Sequence, residues 1–257
     1  MTTTLSLALR SLLSRAAAVV SSPSQLRGTS GLTPTAKALA AVVAARAGRG
    51  VTVLVAPSDK DSARDALAGW LNTGKPVAVR INSSDTEWFE RDLSLCAHAN
   101  VAEVILPKAA EVADVKRVTG AGARAVKLLI ESAQGIAHLS ELAACDKVSR
   151  LIFGTIDFCV DMGIENDDRE LDYFRSQLVL ASRLAGLAPP VDGVTTAIDE
   201  TGVLEADALR GKRFGFGAKL CIHPKQVATV NACYLPQPEE VAWARRVMRS
   251  EEHTSEL

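Results

Sequence analysis

Paired cysteines are missing from this chain. Its five cysteines, Cys96, Cys145, Cys159, Cys221 and Cys233, are odd in number, scattered, and never spaced Cys-x-x-Cys. That spacing excludes a zinc ribbon or dithiol redox motif and leaves reduced thiols in an apolar interior as the simple reading. No apolar run approaches the roughly 20 residues that span a bilayer, so no membrane partner is expected. A charge excess is missing too: 29 Lys and Arg stand against 30 Asp and Glu, a net charge of −1. Such a balance offers no electrostatic footprint for nucleic acid. Gly215-Phe216-Gly217 is not a dinucleotide fingerprint, because no helix follows it directly.

One absence is local. From Met1 to Ser58 there is no Asp or Glu, while Arg10, Arg15, Arg27, Lys37, Arg46 and Arg49 lie among Ala, Ser, Thr and Leu. Acid-free, Arg- and Ser-rich composition is that of a mitochondrial transit peptide. A mis-assigned start or an out-of-frame stretch gives the same composition, and a helix over Lys37–Arg46 is a third reading. Residues 1–50 are therefore set apart as a transit-like or aberrant segment. The last nine residues, Arg249 to Leu257, read like a translated sequencing-adapter oligonucleotide and are set apart as well. The domain proper is expected over residues 51–248, in the cytoplasm, or in mitochondria if the leading segment is a true transit peptide.

What is present is regular. At 47% hydrophobic and 23% charged residues over 257 positions, the composition suits one large globular domain, a size common among α/β barrels. Short β-branched runs alternate with segments of helical period, which argues for a parallel α/β sheet. Strands are expected at Val51–Val55, Val77–Ile81, Glu103–Pro107, Val126–Ile130, Leu151–Gly154, Val191–Thr195 and Ala218–Ile222. Helices are expected from Ser58 (as N-cap) to Leu71, from Asp172 to Leu184, and from Glu239 to Met248. Seven strands are countable and a (β/α)8 TIM barrel needs eight, so its first strand is weak or missing and should precede Val51. An open doubly wound sheet is the alternative. The strand ends discriminate, because Arg80-Ile81-Asn82, Lys108, Glu131-Ser132, Asp157, Thr195-Thr196 and His223 follow successive strands. A ring of polar ends fits a barrel, whereas an open sheet gathers them at one switch point.

Five segments recur in order: Ala78 to Asn82, Leu106-Pro107-Lys108, Leu129 to Gly135, Phe153 to Phe158, and Lys219 to Pro224. Together they resemble the HpcH/HpaI aldolase and citrate lyase β-subunit family, in its CoA-ester lyase branch, over about Ala56 to Met248. The resemblance implies an aldolase-type, Mg²⁺-dependent barrel. It would cleave β-hydroxyacyl-CoA esters of malyl, citramalyl or citryl type into an acyl-CoA and a 2-keto acid, as a homo-oligomer (trimer or hexamer). Carried over by motif, Glu131 and Asp157 resemble the carboxylate ligands of Mg²⁺, and Arg80 the clamp on the keto acid's carboxylate. Lys108 and Thr195 are candidate substrate contacts.

Each of these residues also has a plainer reading. Glu131 could be a helix-terminal charge, Asp157 an N-cap for a helix starting near Phe158, Arg80 a structural ion pair, Lys108 a loop-end charge, and Thr195 a loop cap. His223, held extended before Pro224, is at least as well read as a structural hydrogen-bond former. The chain also departs from the family's pattern. Val51 to Pro57 carries no acid where relatives have an acidic cluster, and Ala110 stands where a Glu is usual. Those departures keep two other readings open, a CoA-ester thioesterase on the same scaffold and a silent barrel serving as a subunit.

Overall fold

The computed structural model describes residues 52–53, 60–72, 76–165, 169–236, 239, 241–243 and 245–247. The segment before Val51, the Ser58 cap and the tail from Arg249 lie outside the described residues.

Each of the seven expected runs forms a strand: β1 (Thr52–Val53), β2 (Val77–Arg80), β3 (Val101–Leu106), β4 (Val126–Ile130), β5 (Val148–Phe153), β6 (Val191–Asp192) and β7 (Ala218–Lys219). They pair in parallel and in sequence order, β1 next to β2 through to β7. A doubly wound sheet reverses its order at a switch point. A sequential order winds one way only, as a barrel wall does. The helices between them are α1 (Lys60–Leu71), α2 (Phe89–Leu93), α3 (Val112–Gly120), α4 (Ala133–Ala137), α5 (Leu139–Ala143), α6 (Thr155–Met162), α7 (Asp172–Leu184), α8 (Thr201–Phe214) and α9 (Pro224–Tyr234). Among the described residues no helix is long and apolar enough to cross a membrane.

Side-chain alternation divides the sheet into two faces. Val79, Val104, Leu106, Val126, Leu128, Ile130, Leu151 and Phe153 join the large core shared with the helices. Ala78, Ile105, Leu129, Ile152 and Val191 form a separate small cluster on the opposite, inner face. The same period continues beyond that apolar band at both ends. Toward the N-terminal edge the inner face carries Glu103, Lys127 and Arg150, with Lys127 paired to Glu103. Toward the C-terminal edge it carries Arg80 and Glu131. An apolar belt therefore separates two charged layers, and the chemistry-bearing one lies at the strands' C-terminal ends.

An aromatic cluster packs α6 into the core. Phe158 is fully buried, with its ring 5.2 Å from that of Phe153 and 4.7 Å from that of Phe174, both edge-on. Edge-to-face packing suits the ring quadrupoles. It ties α6 to β5 beneath it and to α7 beside it. Phe158→Ala is expected to destabilise the fold by about 3–5 kcal/mol, read from urea unfolding. A change under about 1 kcal/mol would mean that this aromatic cluster does not anchor the helix.

Candidate functional site

Glu131 follows the last residue of β4 and, two residues beyond Leu129, takes the inner face. It is 4% exposed. Two features hold its carboxylate. The backbone N–H of Lys108 donates to Oε1 at 2.8 Å. Lys108 sits at φ +48°, a left-handed conformation uncommon for a side-chain-bearing residue, which shows that the loop is held to aim this N–H. Gly154, at the end of β5, leaves the space that the carboxylate fills. A Cβ there would stand 2.7 Å from both Cβ and Oε2 of Glu131.

Asp157 lies in the first turn of α6 on the exposed side, close enough that its charge disfavours ionisation of Glu131. The helix is fixed at this point by Asp161, one turn on, whose Oδ2 accepts from the backbone N–H of Ala133 at 2.7 Å. Ala133 opens α4, two residues after Glu131, so the α6 face bearing Asp157 and Asp161 is locked over the end of β4. The expectation of a helix starting near Phe158 needs adjustment. It starts at Thr155, with Gly154 as N-cap and no side-chain cap, so Asp157 is inside the helix and its carboxylate is not used for capping.

Arg80 ends β2, half-buried, near enough that its charge favours the ionised form of Glu131. The opposing influences are stronger. Burial first, and then the Asp157 charge, raise the Glu131 pKa to about 7. The cause is plain: two carboxyl groups share one partly dry place, so one of them keeps a proton unless a cation is supplied.

The structure thus brings together Glu131, Asp157 and Arg80, three of the residues expected from sequence. Lys108 contributes its backbone, and its side chain is exposed and reaches Asp85 at 3.3 Å. Thr195 is buried, with its hydroxyl donating to Asp207 at 2.8 Å and its carbonyl accepting from Gln226 at 2.9 Å. His223 caps α9, its Nδ1 accepting from the backbone N–H of Lys225 at 3.1 Å, the structural role expected for it.

Sequence reasoning missed Asp92. This buried carboxylate of α2 accepts from Arg64 Nε at 2.9 Å and Nη2 at 2.7 Å, and from the backbone N–H of Asn82 at 2.8 Å. Asn82 in turn accepts from Lys60. The network clamps the exit of β2 two residues after Arg80 and so sets where that guanidinium starts. A faint signal existed in Lys60 and Arg64, spaced i, i+4 on α1.

A parallel α/β sheet with a buried glutamate, an exposed aspartate and a guanidinium at its C-terminal edge defines a class, an α/β protein with acidic and basic groups gathered at its strand ends. The HpcH/HpaI aldolase/citrate lyase family model matches residues 52–224, and the chain belongs to that family. A (3S)-malyl-CoA thioesterase from Cereibacter sphaeroides is 32% identical over 199 residues, which cover 75% of this chain and 70% of that one. An L-malyl-CoA/beta-methylmalyl-CoA lyase from the same species is 31% identical over 236 residues, with coverages of 77% and 74%. Among solved structures, the CitE protein of Mycobacterium tuberculosis in complex with magnesium, acetoacetate and coenzyme A aligns with a TM-score of 0.70. It is 30% identical, with 83% of this chain and 82% of that chain covered.

The buried carboxylate has a signature in pH. The folded-state pKa of Glu131 lies above its ordinary value of 4.5, so the native state holds a proton that the unfolded chain releases. Stability from this group is full at low pH and is lost as pH rises through about 7. In chelator-treated protein, Glu131→Gln should therefore be more stable than wild type by about 1–3 kcal/mol at pH 8, with most of that gap gone at pH 5. A gap that stays constant between the two pH values would contradict this origin of the shift.

Proposed function

We propose that this protein is a Mg²⁺-dependent carbon–carbon lyase. It cleaves a β-hydroxyacyl-CoA ester of malyl, citramalyl or citryl type to an acyl-CoA and a 2-keto acid, on a sheet closed into a (β/α)8 barrel. The observation that carries the proposal is the buried Glu131 carboxylate, held by the Lys108 N–H, with Asp157 and Arg80 near enough for their charges to act on it.

The pair fits a hard divalent cation. Mg²⁺ is held through one or two carboxylates, with water and substrate oxygens filling the rest of its octahedron. Glu131, whose ionisation is hindered by burial and by the Asp157 charge, is relieved when a cation takes the place of its proton. No group of three or more His, Cys, Asp or Glu residues with metal-site geometry occurs among the described residues, and of these residues Glu131 and Asp157 are the carboxylates we assign to the ion. When bound, the ion supplies Lewis-acid polarisation of the keto acid's carbonyl and carboxylate.

The chain's own groups do the rest. Glu131 and Asp157 hold the ion, with Glu131 kept in place by Lys108 N–H and by the vacancy at Gly154. Arg80 presents a planar fork to the keto acid's carboxylate, a bidentate match that a lysine lacks. In the cleavage direction the substrate's hydroxyl loses its proton, and the oxygen's electron pair forms the carbonyl of the departing keto acid. The C–C electron pair leaves on the thioester as an enolate, which then takes up a proton. Positioned charge at the mouth of the site stabilises the developing oxyanions where water is sparse.

A thioesterase reading has one observation in its favour, the malyl-CoA thioesterase relative at 32% identity. The two readings differ in what attacks: water at the thioester carbonyl frees CoA thiol, whereas C–C cleavage frees a keto acid. Assays of malyl- and citramalyl-CoA with Mg²⁺ should yield glyoxylate or pyruvate with no initial release of free thiol. Thiol release at the rate of substrate loss would favour the thioesterase instead.

Glu131→Gln and Asp157→Asn should each lower kcat/KM by about 100-fold or more. Arg80→Lys should lose about 10–100-fold, for the weakened carboxylate contact. Wild-type turnover that continues undiminished in excess chelator would remove the metal from the mechanism.

A further inference from the structure

Lys219, the last residue of β7, has a side chain only 2% exposed, and none of the chemistry above uses it. A buried lysine at the end of a strand invites a reading as a nucleophile. The register argues against that. Ala218 and Leu220 pack with the inner-face cluster, so Lys219 between them points outward, into the layer between sheet and helices. There its ammonium donates to the carbonyl of Gly193 at 2.9 Å and lies 3.8 Å from Asp192 Oδ2. Asp192, 1% exposed, accepts from Arg175 Nε of α7 at 3.2 Å through its other oxygen.

Burying such charges is expensive, and an apolar set of the same volume is often at least as stable. What the ammonium's hydrogen bond holds is therefore informative. Gly193 has no room for a side chain, since a Cβ there would stand 2.2 Å from Thr155 Oγ1 and 2.5 Å from its Cγ2. Thr155 is the first residue of α6 and 2% exposed. Its hydroxyl has no hydrogen-bond partner, so its contact with the Gly193 backbone is packing alone. Two residues further on, Thr195 is pinned by Asp207 and Gln226. The segment leaving β6 is thus clamped from outside and pressed against the start of the helix that carries Asp157.

We propose that Lys219 is a positioning residue, holding Gly193 against Thr155 and so setting where α6 begins and where Asp157 stands relative to Glu131. The inference rests on the reading of Glu131 and Asp157 as the metal-holding pair. It assigns Lys219, Asp192 and Arg175 to metal affinity rather than to proton transfer. Energy is transmitted by contact: ammonium to carbonyl, glycine backbone to threonine methyl, threonine to helix.

The test pairs two measurements on the full chain, calorimetric titration with Mg²⁺ alone and hydrogen exchange of the metal-free protein. Lys219→Met keeps the length and apolar bulk of the side chain and removes the ammonium. It should weaken Mg²⁺ binding by about 10-fold or more and speed exchange in residues 155–162 and 193–195, while residues 126–130 of β4 keep their protection. Thr155→Ala should produce the same two changes with the ion cluster intact, and Thr155→Val, which restores the lost volume, should reverse both. That threonine pair decides the matter if Lys219→Met fails to fold. Mg²⁺ affinity within about 2-fold of wild type in Lys219→Met and Thr155→Ala, or exchange that rises uniformly, overturns the proposal. A wild type that binds no Mg²⁺ sinks the metal reading itself. In that case the local exchange contrast between Thr155→Ala and Thr155→Val still supports or refutes the positioning.

Discussion

Two carboxyl groups held close enough for one charge to act on the other, one of them buried, are the constraint on which this site depends. Like charges in a partly dry place repel, and a chain free to relax would part them. Here it is not free. Glu131 is fixed by the Lys108 N–H and the vacancy at Gly154, and Asp157 by the anchoring of Asp161 to Ala133. Enforced closeness of this kind stores an unfavourable interaction that a divalent cation relieves, which is how a scaffold converts folding energy into metal affinity.

The sheet makes that enforcement possible at modest expense. Its inner face passes from Lys127 through Leu129 to Glu131 along a single strand, so an apolar belt insulates the site from the charged layer at the other edge. Helices then reach the site by their first turns, α4 and α6 both beginning within three residues of a strand end. Short connections leave little slack at the strand ends. Asp92 extends the same logic to Arg80 by clamping the chain two residues past it.

Much of this was legible because period-2 alternation and turn punctuation are local signals. All seven strands overlap the expected runs, with β3 and β5 starting two and three residues earlier than expected, and α7 spans Asp172–Leu184 as its caps and periodicity suggested. The start of α6 was less legible: Gly154 caps it without a side chain, so the usual Ser, Thr, Asp or Asn marker is missing. Lys108 shows a different limit. Its position next to the site was readable, but its contribution comes through a backbone N–H, which no side-chain chemistry announces. Asp92 and Lys219 were invisible for a third reason, that their partners lie 10 to 28 and 26 to 27 residues away and meet only through the fold. The expected first strand falls outside the described residues.

Relatives at about the same identity are a thioesterase and a lyase, so the family admits both outcomes, and the proposed chemistry turns on what reaches the thioester carbonyl. The metal comes before that choice. Crystals grown with Mn²⁺ in place of Mg²⁺ test it most directly through anomalous scattering. One peak is expected between Glu131 and Asp157, within about 2.0–2.2 Å of an oxygen from each. Absence of that peak, with both carboxyl groups ordered at the end of β4 and the start of α6, would contradict the metal site and the chemistry built on it.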